Sequence, residues 1–155
     1  MIEAGVDEAG RGPLAGPVFA AAVILDKKKK IAGLNDSKKI SEKKRELIAE
    51  EIKFKSISWS IGISSSKEID EINVLKASLL AMKRAIEGLE TTPDLILVDG
   101  TFAPKIAIKT KTIIKGDQSE KNIMAASILA KVYRDNYMKE IDPVYPQYGF
   151  KQHKG

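Results

Sequence analysis

Eight consecutive apolar residues, Val18 to Leu25 (VFAAAVIL), constrain this chain more than any other feature. A strand that meets water on one face alternates apolar and polar residues, whereas an unbroken apolar run marks a strand covered on both faces. The run is also far shorter than the ~20 residues that a helix needs to cross a bilayer. With 155 residues, of which 43% are hydrophobic, the chain can build one domain around a real core. The expectation is therefore a sheet with helices on both sides, and the rest of the sequence must supply its parts.

Ile2 to Glu8 reads as a strand entering a glycine-rich turn, and Val18 to Asp26 as the buried strand. Lys27 to Lys30 form a basic, solvated turn. A helix starts after Ser41, which can cap it. Lys44 stands where a capping box would want Glu, and Leu47, Ile48 and Ile52 supply the apolar stripe. Ile57 to Ile63 alternates with a period of two, placing Ile57, Trp59, Ile61 and Ile63 on one side of a strand. Glu68 to Ile72 suggests a short helix. Asn73 to Leu89 suggests a longer one, with Val74, Leu75, Leu79, Leu80, Met82 and Ile86 mostly on one side. After Pro93, Leu95 to Val98 reads as a strand ending at Asp99-Gly100. Another lies within Lys105 to Ile114 and ends at Gly116-Asp117. Ser119 to Lys139 is an alanine-rich helix, followed by an irregular tail rich in proline and tyrosine. This order points to an α/β fold with a mixed sheet packed by helices.

Composition excludes several chemistries. There is no cysteine, hence no disulfide, thiolate nucleophile or cysteine zinc site. His153 is the single histidine, so a two-histidine metal site is out of reach. A bound metal must rely on oxygen ligands, which suits Mg²⁺ or Mn²⁺. The 26 basic residues exceed the 21 acidic ones, a net charge of +5 with a pI near 9.3. That balance accommodates nucleic acid, although plain solubility accounts for it too. The N-terminal segment has no basic, apolar signal pattern, so a soluble, cytoplasmic protein that does not engage membranes is expected; a monomer is expected as well.

Four carboxylates sit at three strand ends: Asp7-Glu8, Asp99 and Asp117. Ligands of open α/β sheets gather beyond the carboxyl ends of parallel strands. Adjacent parallel strands would therefore bring these acids together, and clustered carboxylates call for cations. Two divalent ions ~4 Å apart can activate water and stabilise a leaving oxygen in phosphodiester hydrolysis. Each element also has a plainer reading. Asp99-Gly100 is a common turn, and Asp117 with Glu120 has the spacing of a cap for the last helix. Asp7 and Glu8 should point to opposite faces of a regular strand. Either the backbone distorts there, or Glu8 uses its carbonyl or a second ion. Gly10-Arg11-Gly12 can bring backbone N–H groups and a guanidinium to a phosphate, or can be a tight turn whose arginine pairs with an acid.

These residues also resemble a family. Asp7-Glu8-Ala9-Gly10-Arg11-Gly12 running on to Val18, Leu34 to Lys39, Val98-Asp99-Gly100, and Gly116-Asp117 with Ala125 to Asp135 are similar to type 2 ribonuclease H, bacterial ribonuclease HII. So are Tyr148-Gly149-Phe150 and His153-Lys154-Gly155 in the tail. The resemblance implies a ribonuclease H-like fold, a mixed five-stranded sheet flanked by helices. It implies hydrolysis of the RNA strand of RNA–DNA hybrids and incision on the 5′ side of ribonucleotides embedded in duplex DNA, leaving 5′-phosphate and 3′-hydroxyl ends. By the resemblance Asp7, Glu8, Asp99 and Asp117 are the catalytic acids, holding Mg²⁺ or Mn²⁺. Gly10, Arg11 and Gly12 contact the nucleic acid, Ser37 and Lys38 lie near its backbone, and Asp135 supports the site or the fold. Residues 1–155 are then a single catalytic domain. The family continues beyond His-Lys-Gly with a tyrosine that packs on the sugar and a further helical stretch, absent from this sequence. Reduced junction selectivity is expected, and the alternative is a hybrid-binding domain with impaired cleavage.

Overall fold

The computed structural model describes residues 1–10 and 16–141. Five strands, β1 (Glu3–Ala9), β2 (Val18–Ile24), β3 (Ser58–Ser64), β4 (Leu95–Asp99) and β5 (Lys109–Ile113), form one sheet in the order β3-β2-β1-β4-β5. β1 pairs antiparallel with β2, and β2 with β3, while β1, β4 and β5 run parallel. The sheet is thus mixed, as expected, and every residue of β2 is buried. The helices are α1 (Glu42–Lys55), α2 (Ser66–Ile72), α3 (Val74–Glu87), α4 (Gly116–Ser119) and α5 (Lys121–Ile141). Among the described residues no helix is long and apolar enough to cross a membrane.

Strand alternation sorts the core into two halves. Ala21 and Val23 of β2, with Ala9, Trp59 and Ile61, pack on α1 and α5 through Ile48, Ile52, Ile128 and Leu129. Ala4 and Val6, with Ala20, Ala22, Ile96 and Val98, pack on α3 through Ala81, Met82, Ala85 and Ile86. Burying a side chain such as Ile52 or Ile96 contributes about 1.5 to 3 kcal/mol each.

Local signals hold with informative exceptions. The Ser41 hydroxyl caps α1 by accepting from the Lys44 N–H at 3.3 Å, without a capping box. Ser65 and Glu68 do form one, reciprocally, at α2. On α1, Ile48 and Ile52 are buried but Leu47 is 65% exposed; Ala49 takes its place. On α3, Met82 and Ile86 are buried, yet the close contact is made by Ala77, Ala81 and Ala85. The reason lies on β3. Its apolar side carries Ile57 and Ile63, which remain largely exposed at the sheet edge, while Ser58, Gly62 and Ser64 lie buried beneath α3. A side chain at Gly62 would collide with the Ala81 carbonyl, and the Ser64 hydroxyl donates to the Ala77 carbonyl at 2.6 Å. Small residues on both partners let helix and strand approach, so small size rather than hydrophobicity marks the contact.

Candidate active site

β1, β4 and β5 end side by side. In register Val6 faces Val98, and Asp99 faces Ile113. Asp7 and Asp99 therefore come just beyond paired valines, on the same face of adjacent parallel strands. Asp117 joins them from α4. Asp7, Asp99 and Asp117 each offer a carboxylate oxygen within 4.8 Å of the others.

Backbone donors hold this cluster. The Glu8 N–H donates to Asp7 Oδ1 at 2.8 Å, and the Asp117 N–H donates to Asp99 Oδ1 at 3.1 Å. The turn after β4 is tied to the end of β5 by the Gly100 N–H on the Ile113 carbonyl at 2.9 Å. Lys115, in the left-handed region at φ 54°, then reverses the chain into α4. Asp117 is not the cap of the last helix that its spacing with Glu120 suggests. It sits inside the separate turn of α4, where the Glu120 N–H closes back on the Gly116 carbonyl. That extra turn buries Asp117 to 8% exposure and aims it at Asp99.

Electrostatics show what the arrangement lacks. Burial, then the charges of Glu8 and Asp99, push the Asp7 carboxyl well above the usual carboxylate range. Asp117 is raised by burial and by the charges of Asp99 and Asp36, with Lys38 acting against them. Three mutually repelling carboxylates held by the backbone are a hard, all-oxygen donor set, which fits a divalent cation such as Mg²⁺ or Mn²⁺.

The remaining predicted residues are placed as follows. β1 stays regular through Glu8, which pairs with Ala20, so the expected alternative of a distorted backbone does not occur. Glu8 is outside the three-acid cluster, though its charge bears on Asp7. Gly10 adopts φ 104°, and a β-carbon there would crowd Arg134 Cδ and the Pro17 carbonyl, both at 2.8 Å. Arg11 and Gly12 lie outside the described residues, as do Tyr148, Gly149, Phe150, His153, Lys154 and Gly155. Ser37 is buried, its hydroxyl 2.9 Å from that of Ser127 on α5, so this side chain is engaged inside the protein. Lys38 is exposed in the same 3₁₀ turn, Ser37–Lys39, whose start is capped by Asp36. Arg45 holds that turn by donating to the carbonyls of Ser37 (2.9 Å) and Ile40 (2.7 Å) and by facing Asp135 at 3.8 Å.

Two residues of this support received no role from the sequence, although Arg134 lies in the stretch that carries the family resemblance. Arg134 is fully buried, and its Nε donates to the Pro17 carbonyl at 3.2 Å, close to Gly10 at the end of β1. Asn122 bridges β1 and the end of β2, accepting from the Leu25 N–H at 3.0 Å and donating to the Glu3 carbonyl at 3.2 Å. Arg134 carried a readable signal. It falls four residues after Ala130 and four before Met138 on the buried stripe of α5, where a charge needs a structural reason.

A family profile described as Ribonuclease HII matches residues 4–155. The crystal structure of the ribonuclease H2 from Pyrococcus horikoshii aligns with a TM-score of 0.80 at 29% identity, covering 94% of this chain and 77% of that one. The ribonuclease HII of Archaeoglobus fulgidus, solved in a complex with PCNA, aligns at 0.71 with 26% identity, covering 94% and 78%. Bst-RNase HIII, solved in complex with Mn²⁺, shares the fold at 0.75 with 18% identity, covering 93% and 55%.

Proposed function

The chain belongs to the ribonuclease HII family, a metal-dependent ribonuclease H acting on RNA–DNA hybrids, and we propose that Asp7, Asp99 and Asp117, with Glu8 beside them, form its catalytic centre. The observation that carries this is the convergence of three carboxylates within 4.8 Å at the ends of adjacent parallel strands. A module that only bound nucleic acid would gain nothing from concentrating negative charge where a polyanion must arrive.

The four acids would hold two divalent cations, Mg²⁺ or Mn²⁺, which supply an activated water and offset charge on the leaving oxygen. The residues themselves do the orienting. Asp7 and Asp99 each commit one oxygen to a backbone N–H, so neither carboxylate must be ordered when substrate arrives. Glu8, on the opposite strand face from Asp7, suits the second ion better than a shared one. Gly10, Arg11 and Gly12 meet the substrate backbone near the 2′-hydroxyl, the group that separates RNA from DNA. Lys38 faces a phosphate from the turn that Ser37 anchors on Ser127. The reaction is hydrolysis of the RNA strand of hybrids, and incision 5′ of a ribonucleotide embedded in duplex DNA, leaving 3′-hydroxyl and 5′-phosphate ends.

Cleavage of a labelled hybrid, and of duplex DNA with one ribonucleotide, tests this with Mg²⁺, with Mn²⁺ and with EDTA. The expected result is metal-dependent incision 5′ of the ribonucleotide and an intact all-DNA control. Cleavage that survives EDTA, or that leaves 3′-phosphate ends, overturns it.

A further inference from the structure

The segment from Thr101 to Lys115 contains four lysines, Lys105, Lys109, Lys111 and Lys115, and no acidic residue. It contributes +4 where the whole chain sums to 26 − 21 = +5. All four are exposed. Among the described residues none of them makes an ion pair, whereas Lys53, Lys55, Lys131 and Lys139 each face a carboxylate. The K-T-K-T alternation of β5 places Lys109 and Lys111 on the strand face that register assigns to Leu95, Leu97 and Asp99. The charged row thus lies on the same side of the sheet as the acid cluster. At ~3.3 Å per residue, Lys111 and Lys109 follow Ile113, the partner of Asp99, at about 7 and 13 Å along the edge. Lys115 stands two residues before Asp117. The same segment carries two exposed apolar side chains: Phe102, 54% exposed and three residues past Asp99, and Ile114, 73% exposed and three residues before Asp117.

We propose that the β5 edge and its flanking turns are a second substrate-contact surface, holding the duplex arm that leaves the acid cluster. This rests on the reading of that cluster as the site of phosphodiester hydrolysis. Lys109, Lys111 and Lys115 meet phosphates, and Phe102 and Ile114 cover the apolar face of a sugar beside the acids. A polyanion approaching three carboxylates is repelled by them and needs positive charge close by. The i, i+2 lysine spacing of about 7 Å also matches the rise of two nucleotides of one strand, about 3.4 Å each along the duplex axis. Lysines such as Lys109 and Lys111 also protect a sheet edge from pairing with another chain, but Lys115 lies outside β5, where edge protection gives no reason for it.

The test is hybrid binding by the full chain over a range of salt concentrations without divalent metal, with cleavage in Mg²⁺ measured alongside. The triple variant Lys109→Gln, Lys111→Gln, Lys115→Gln is compared with Lys27→Gln, Lys28→Gln, Lys29→Gln, which removes the same charge from an exposed turn elsewhere. Circular dichroism confirms that both are folded. The slope of log K against log salt should become less negative by about 2 to 3 in the β5 variant, at about 0.9 per phosphate contact, and stay unchanged in the turn variant. Phe102→Ala should raise KM with little change in kcat, and Phe102→Tyr should restore it. A slope change below one, or an equal change in both triple variants, overturns the surface. If the wild type cuts hybrid while the β5 variant keeps its slope, only the surface falls; if the wild type neither binds nor cuts hybrid, the proposed function falls with it.

Discussion

The two faces of the sheet are built from different materials. Against α3 the buried polar groups are Ser58, Ser64 and Ser78, and alanine and glycine set the approach. On the α5 side the buried polar groups include Asp7, Asp36, Asp117, Arg134 and Asp135. Both faces carry an apolar core, but desolvating charge costs far more than desolvating a hydroxyl, so the α5 face alone adds unfavourable charge at the candidate site. Stability and activity should therefore respond in opposite ways to mutation on the two faces.

The largest contrast comes from Asp99→Asn. Cleavage should fall at least about a thousandfold, roughly 4 kcal/mol of transition-state stabilisation. The metal-free protein should unfold at the same or a higher temperature, because a charge that raises Asp7 and Asp117 is gone. Wild-type turnover, or a clear loss of thermal stability, would break the contrast.

Gly62→Ala should do the reverse. Its β-carbon meets the Ala81 carbonyl, and forcing α3 off β3 should cost about 3 kcal/mol, with the metal-site chemistry intact in the molecules that remain folded. A denaturant midpoint equal to wild type would show that the close approach is not required.

Cations and protons should act on the acid face alone. The folded-state pKa of Asp7 lies above its unfolded value, so between those values the native state binds more protons than the unfolded one. Stability of the metal-free protein then falls as pH rises through that window. Above it the repulsion is fully present, and a divalent ion relieves it. Mg²⁺ or Mn²⁺ at a hundred times Kd should add about 2.7 kcal/mol at neutral pH, and less at acid pH. Thermal melts across pH, with and without metal, would measure this, and an equal gain in Asp99→Asn would argue against the site.

Ser37→Ala is the mildest test. It leaves the Ser127 hydroxyl without its buried partner, at about 1 to 3 kcal/mol of stability. Hybrid affinity at saturating metal should change little, and a large loss of affinity with unchanged stability would instead place the hydroxyl on the substrate.

The division between faces was only half legible in the chain. The unbroken apolar run of β2 and the acids after three apolar segments were plain, because burial on both faces and a strand end each leave a local mark. Leu47 misled, and the leucines of α3 are only partly buried behind its alanines, because hydrophobicity says what could be buried and not how closely a partner approaches. Ser58, Gly62 and Ser64 showed that approach only once α3 lay over them. For Asp117 the D-x-x-E spacing left a cap open beside the acid site, and only the inserted turn of α4 separates the two readings.

The sequence by itself determined the mixed α/β class, the acids that follow three apolar segments and the exclusion of cysteine and paired-histidine metal chemistry, because these follow from periodicity, strand termination and composition. Tertiary structure alone decided that β1, β4 and β5 are parallel neighbours, that Asp7, Asp99 and Asp117 converge while Glu8 stands aside, and that Arg134 packs against Gly10 and Pro17. Those outcomes depend on strand order and on helix placement over the sheet, and no short stretch of chain encodes either.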